Sequence, residues 1–192
     1  MGKNQFEEIR ALFGNSDTYY LIRVDMAANY AYVNKHYDDA FRHIHGNLVG
    51  KHYAITMHED DVEICNAVAN LAFNNRNDVF PATIRKHDGR GGYIITRWDY
   101  KALFDENDNP LGIFCIGHDI TELAKIAGEL DQIKTDHSHS VRSHVANLMG
   151  LGKLIQEANG VGDIKAAAKM ILQSTNALDQ AIRTVYQNNQ DQ

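Results

Sequence analysis

Cysteine is scarce: Cys65 and Cys115 are the only two among 192 residues. Two cysteines exclude a disulfide framework and point to a reducing compartment. Proline is as rare, with Pro81 and Pro110 both in the first part of the chain. No apolar run approaches the roughly 20 residues needed to cross a bilayer, and the start, MGKNQFEEIR, lacks the apolar segment of a signal peptide. A basic stretch able to track phosphates is missing too, which argues against a nucleic-acid partner. Neither a GxxxxGK loop nor a kinase glycine-rich loop occurs. These absences leave a folded chain of one or two domains, expected in the cytoplasm without membrane contact.

What is present divides unevenly. Net charge is −6, with 44% hydrophobic and 23% charged residues, ordinary values for a folded protein. Of nine Tyr, seven Phe and one Trp, only Tyr186 lies after residue 121. A short amphipathic helix, Phe6 to Phe13, ends at Gly14. The segments Tyr19–Asp25 and Asn29–Asn34 read as a β-hairpin. Helical pieces are expected at Lys35–His45 and Glu59–Phe73, the latter with Ile64, Val68 and Leu71 at helical spacing. Three strands follow, Val79–His87, Gly92–Phe104 and Leu111–Asp119, separated by Asp88-Gly89-Arg90-Gly91 and by Asp105–Pro110, both with turn chemistry. In the middle strand Ile94, Thr96, Trp98, Tyr100, Ala102 and Phe104 share one face, while Arg97, Asp99 and Lys101 take the other, as in a half-buried antiparallel sheet.

After Ile120 the period becomes helical. Leu123, Ile126, Leu130, Ile133, His137, Val141, Val145, Leu148, Gly152 and Ile155 follow coiled-coil spacing, and the pattern breaks near Asn159–Gly162. It resumes through Ile164, Ala168, Ile171, Thr175, Leu178, Ile182 and Val185. The first helix spans about 38 residues, about 57 Å. Two antiparallel helices with narrow apolar stripes leave a seam that a second copy could cover as a four-helix bundle. The fold class expected is therefore α+β: a five-stranded antiparallel sheet with inserted helices, then an all-α antiparallel hairpin forming a dimeric four-helix bundle. The divisions are an N-terminal helix (1–14), a sheet domain (15–122), a hairpin (123–187) and a tail (188–192). Gly150 and Gly152, each costing about 1 kcal/mol in a helix, suggest a close helix approach or a hinge.

Residues 15–122 resemble a PAS sensor domain. The resemblance rests on Gly50-Lys51, on His58-Glu59-Asp60-Asp61, on the strand and turn Ile84-Arg85-Lys86-His87-Asp88-Gly89, and on Gly112–Glu122, an apolar strand ending in Asp-Ile-Thr-Glu before a helix. Residues 123–187 resemble the dimerisation and phosphotransfer hairpin of sensor histidine kinases, through Ser138-His139-Ser140-Val141-Arg142-Ser143-His144-Val145-Ala146-Asn147-Leu148-Met149-Gly150-Leu151. The resemblance implies that His139 is the phospho-acceptor and Arg142 a basic neighbour. It also implies that Ser143, one turn on, could orient water. Ser140 stands where the family has an acidic residue and His144 where it often has proline. Asp136, at i−3 from His139, could replace the missing carboxylate as a proton acceptor.

An imidazole suits this role because its neutral nitrogen attacks phosphorus near physiological pH. His139 lies two positions past seam residue His137 and should point away from the bundle centre. No metal site is expected from His137, His139 and His144, whose spacing does not converge. Cys65 lacks the Asn-Cys-Arg context of flavin-binding members, and His52 and His58 read as loop histidines rather than haem ligands. No cofactor is assigned to this chain, no ligand of the sensor domain can be named, and ATP would act only through a missing or separate catalytic domain. The reading is the sensory and phospho-accepting part of a two-component histidine kinase. Its partners are a second copy through residues 123–187, an ATP-binding domain and a response-regulator receiver. The alternative is a non-catalytic dimeric PAS sensor or scaffold with a degenerate hairpin.

Overall fold

The computed structural model describes residues 2–157 and 160–188, and the chain divides into two units after Ala124. Helix α1 (Gly2–Phe13) comes first, then strands β1 (Tyr20–Val24) and β2 (Tyr30–Val33). Helices α2 (Lys35–His45) and α3 (Asp61–Asn74) flank a 3-10 turn at Tyr53–Thr56. Strands β3 (Phe80–His87), β4 (Tyr93–Phe104) and β5 (Pro110–Asp119) follow, then helices α4 (Thr121–Glu157) and α5 (Val161–Asn188).

The sheet runs β2-β1-β5-β4-β3, every pair antiparallel. The hairpin and the meander are thus joined through β1 and β5, with Tyr20 opposite Gly117 and Val24 opposite Ile113. Aspartates close both meander turns, as their composition requires. Asp88 Oδ1 accepts from the Arg90 and Gly92 amides at 2.7 and 2.9 Å. Asp105 Oδ1 accepts from the Asn107 and Asn109 amides at 2.8 and 2.7 Å. Asn34 ties the hairpin to α2. Its Oδ1 accepts from the Leu21 and Tyr37 amides, both at 3.1 Å, and its Nδ2 donates to the Tyr19 carbonyl at 2.9 Å. An asparagine at a helix N-cap satisfies a free amide in this way.

Alternation along the strands gives the sheet two apolar faces. Tyr20, Ile22, Ile84, Trp98, Tyr100, Ile113 and Cys115 meet Tyr37 and Phe41 of α2 and Cys65 of α3. On the opposite face Leu21, Leu103 and Phe114 pack under Phe6. The N-terminal helix is bound to its own sheet, with Phe6 buried and its ring edge-on to Tyr32. A difference from the sequence reading concerns α3. Ile64 and Leu71, expected at its core face, are exposed, whereas Cys65 and Ala72 are buried and Val68, Ala69 and Phe73 pack beside them. A helix seated on a sheet through Cys and Ala does not fill the space beneath it, which bears on the site described below.

In the second unit α4 and α5 form an antiparallel pair. Leu151, Ala167 and Ser174 are buried, while His137, Val141, His144, Leu148, Ile155, Ile171 and Leu178 are half-buried. The seam therefore uses His144 and Leu151 where the sequence reading places Val145 and Gly152, and Ala167 and Ser174 where it places Ala168 and Thr175. An amphipathic stripe wider than one heptad seam offers two adjacent registers, and packing selects one. Beside Gly150 and Gly152 a Cβ would meet open space, so no close helix approach within the chain accounts for them. Asn159 of the connecting loop and the tail past residue 188 lie outside the described residues, as does the side chain of Val185.

Candidate functional site

The space left under α3 is a cavity of about 160 Å³. Ile22, Val24, Phe73 and Ile113 form apolar wall, and Tyr30, Tyr53, Cys65, Tyr100 and Cys115 bring polar atoms to it. Met26 and Asp25, between the two hairpin strands, lie at its margin. Trp98 and Tyr100, read as core residues from their strand face, are core residues that also line this cavity.

At its wall sits Lys86, 2% exposed. Strand alternation puts it there, because Ala82 and Ile84 of β3 face inward and Lys86 continues that row. Its Nζ donates to Thr56 Oγ1 at 3.0 Å. Three ring centroids surround the ammonium, Trp98 at 5.2 Å, Tyr37 at 5.4 Å and Phe41 at 6.0 Å. Thr56 Oγ1 also meets the hydroxyls of Tyr30 and Tyr37 at 2.8 and 3.1 Å, and those two hydroxyls lie 2.7 Å apart. Burial drives the Lys86 amine down to about 8, against the weaker upward pull of Cys65, Cys115 and Asp61. The same burial raises the Tyr37, Tyr100 and Cys115 groups well above their ordinary values.

Asp61, at the first turn of α3, holds Arg85 rather than Lys86. Its Oδ2 accepts from the Arg85 amide at 2.6 Å and its Oδ1 from Arg85 Nη2 at 2.6 Å. Burial alone would raise its carboxyl, but the Arg85 hydrogen bonds outweigh it and the net shift is downward. His52 and His58 are loop histidines. Each accepts a backbone amide on Nδ1, from Ala54 and Asp60 respectively at 3.2 Å, and neither lines the cavity.

Strand β5 carries Ile113 and Cys115 at the cavity wall and then leads directly into α4. The junction is pinned to β4. The Ile120 amide donates to the Ile95 carbonyl at 2.8 Å and the Ile95 amide to Thr121 Oγ1 at 2.8 Å. Asp119 Oδ1 accepts from the Thr121 amide at 2.7 Å and from its hydroxyl at 2.5 Å, capping the first turn of the helix.

On α4 His139, Arg142 and Ser143 are exposed on one face, and Asp136 is exposed one turn earlier. Asp136 Oδ1 accepts from Gln132 Nε2 at 2.9 Å, and no hydrogen bond joins it to His139 among the described residues. Ser140 is half-buried and stands beside His139 without a carboxylate's acceptor strength. Among the described residues no three His, Cys, Asp or Glu side chains converge on a metal position, and no helix is long and apolar enough to cross a membrane. Lys86 is the functional residue that sequence reasoning misses. The signal was available, since a lysine on the inward row of a half-buried strand must be satisfied by something in the core.

Residues 15–125 match the family model of the PAS fold. Among solved structures, the PAS domain of a protein from Colwellia psychrerythraea superposes with a TM-score of 0.52 at 16% identity, over 62% of this chain and 98% of that one. An RNA-binding light-oxygen-voltage receptor gives a TM-score of 0.54 at 12% identity, over 70% of this chain and 38% of its own. A sensory box histidine kinase/response regulator from Burkholderia thailandensis gives 0.48 at 15% identity, over 69% and 96%. At these identities the likeness is one of fold. No curated protein sequence matches the chain.

Proposed function

From the premise that this chain belongs to the PAS fold family, we propose that it is the sensory and phospho-accepting part of a two-component signalling system. The PAS unit takes the input, and His139 is the output group. The observation that supports the reading best is continuity: the strand bearing Ile113 and Cys115 at the cavity runs through a capped junction into the helix that exposes His139. A change in the cavity displaces β5, β5 is hydrogen-bonded to the start of α4, and α4 bears the imidazole.

The chemistry follows from exposure. A neutral ring nitrogen of His139 attacks the γ-phosphorus of ATP held by an ATP-binding domain. The P–N bond forms, the bond to the ADP oxygen breaks, and the ring gives up its N–H proton. A receiver carboxylate then takes the phosphoryl group, and the P–N bond breaks. Arg142, one turn away, offsets phosphate charge. Ser143 on the same face positions a water that attacks the receiver's acyl phosphate, breaking its P–O bond to the carboxylate and releasing inorganic phosphate. The helical pair acts as a homodimer through residues 123–187.

The test is incubation of the chain with the ATP-binding domain of a related histidine kinase and labelled ATP. An acid-labile label that disappears in His139→Gln is the expected result. No label, or undiminished label in that variant, removes the assignment. One observation favours a second reading, a dimeric sensor or scaffold without phosphotransfer: Ser140 replaces the acidic neighbour, and Asp136 is engaged by Gln132 rather than by His139. A stable dimer that never takes label is its signature.

A further inference from the structure

Lys86 poses a problem that the fold alone does not solve. An ammonium carries three N–H donors, and among the described residues only Thr56 Oγ1 accepts one of them. The rings of Trp98, Tyr37 and Phe41 attract the charge through their faces, but they do not neutralise it. The nearest acidic residue named in its electrostatics, Asp61, commits both oxygens to Arg85. Removing an ion from water without a counter-charge is expensive, and the penalty falls sharply when an anion arrives with its own hydrogen bonds. Lys86 and Trp98, the ring 5.2 Å from its Nζ, are both among the residues lining a cavity whose remaining wall is largely aliphatic and aromatic.

We propose that the cavity binds a small organic monocarboxylate, its carboxylate on Lys86 Nζ and its apolar body against Ile22, Phe73 and Ile113. This rests on the sensory reading above and names the ligand class of that same input site. Lys86 is the one cation among the lining residues, and the one lining acid, Asp25, turns its Oδ1 to the Ala27 and Asn29 amides of the hairpin turn, so the ammonium fits one negative charge; a dicarboxylate would bury its second charge unpaired. A cationic ligand meets like charge. A neutral ligand of the same shape gains the apolar contacts and leaves the ammonium as it was. Tyr100, a lining residue whose hydroxyl meets Cys65 Sγ at 3.3 Å, supplies a further donor to a carboxylate oxygen, whereas the Tyr30 proton is already engaged by Tyr37, Thr56 and the Tyr53 carbonyl. Binding on β5 at Ile113 then acts on the strand that leads to α4.

Trp98 is the only tryptophan in the chain, lines the cavity and has its ring centroid 5.2 Å from Lys86 Nζ, so its fluorescence responds to changes at this site. The full chain is titrated with hexanoate and benzoate and, in parallel, with hexanamide and benzamide. At least one acid is expected to change Trp98 emission saturably, with its amide at least tenfold weaker, and Lys86→Met is expected to erase that preference. Equal affinity of acid and amide in the wild-type chain overturns the proposal, as does an acid preference that survives Lys86→Met, or no saturable binding by any of the four. The wild-type comparison needs no variant and is therefore independent of whether Lys86→Met folds. It is also independent of His139, whose labelling is measured without ligand, so the two readings fail separately.

Discussion

Lys86 and Gly117 show how single residues in this sheet are fixed by what lies against them. The native Lys86 amine titrates near 8, against 10.5 for an unrestrained lysine, because burial disfavours its charge. Below pH 8 both folded and unfolded chains hold the proton, and the native state bears the whole penalty. Between 8 and 10.5 the unfolded chain holds more protons, so raising the pH favours the fold. Without ligand, Lys86→Met should therefore stabilise the PAS unit by about 1–3 kcal/mol at pH 7, and the gain should shrink as pH approaches 10. Cys65, Cys115 and the buried tyrosines act in the opposite direction at high pH; loss of the ammonium lets both thiols rise further, which weakens the variant at high pH and narrows the gap in the same direction. Urea unfolding at pH 7 and pH 9.5 checks this, and a gap that does not change with pH counts against it. Gly117 has a different constraint. A Cβ there would lie 2.4–2.8 Å from Trp98 ring atoms, so Gly117→Ala should cost about 1–3 kcal/mol by overpacking and shift Trp98 emission. Unchanged unfolding and emission would show that the indole has room to move.

At the scale of elements the junction between β5 and α4 matters most. Asp119 caps α4 at the Thr121 amide, and the Thr121 hydroxyl accepts from the Ile95 amide, so the helix starts from a fixed point on the sheet. One residue inserted after Glu122 leaves these bonds in place and turns the rest of α4 by about 100°. The rate of His139 labelling should then change about tenfold or more, measured against the same ATP-binding domain; an unaltered rate would mean that α4 transmits nothing. Elements of this kind were legible in the sequence. Alternation set out β4, and the aspartate-glycine and aspartate-asparagine turns marked its ends, because both signals are local. Three matters were not legible. The core face of α3 is made of Cys65, Ala69 and Ala72 rather than Ile64 and Leu71, since the sheet selects by fit and not by hydrophobicity. The α4–α5 seam took the neighbouring register for the same reason. Lys86 was hidden by its type, as lysine is ordinarily read as surface.

The whole molecule leaves apolar surface uncovered in one place above all. Leu130 and Ile133 of α4 and Met170 and Leu172 of α5 are each more than half exposed, and Val145 and Met149 flank the seam that α5 covers. Pairing within the chain buries only Leu151, Ala167 and Ser174 of the described positions in this unit, a thin core for two helices of 37 and 28 residues. Helices of this length draw their stability from packing rather than propensity. On the dimeric reading proposed above, a second copy would supply that packing by covering these exposed side chains. The chain should therefore sediment as a dimer at low micromolar concentration, and Leu130→Glu with Ile133→Glu should shift it to monomer. The PAS unit, with its own two cores, should keep its Trp98 emission through that change. A wild-type chain that stays monomeric at high micromolar concentration would remove the dimeric scaffold on which both functional readings stand. Dimerisation undisturbed by the double substitution would place the contact elsewhere and leave the exposed stripe without a role.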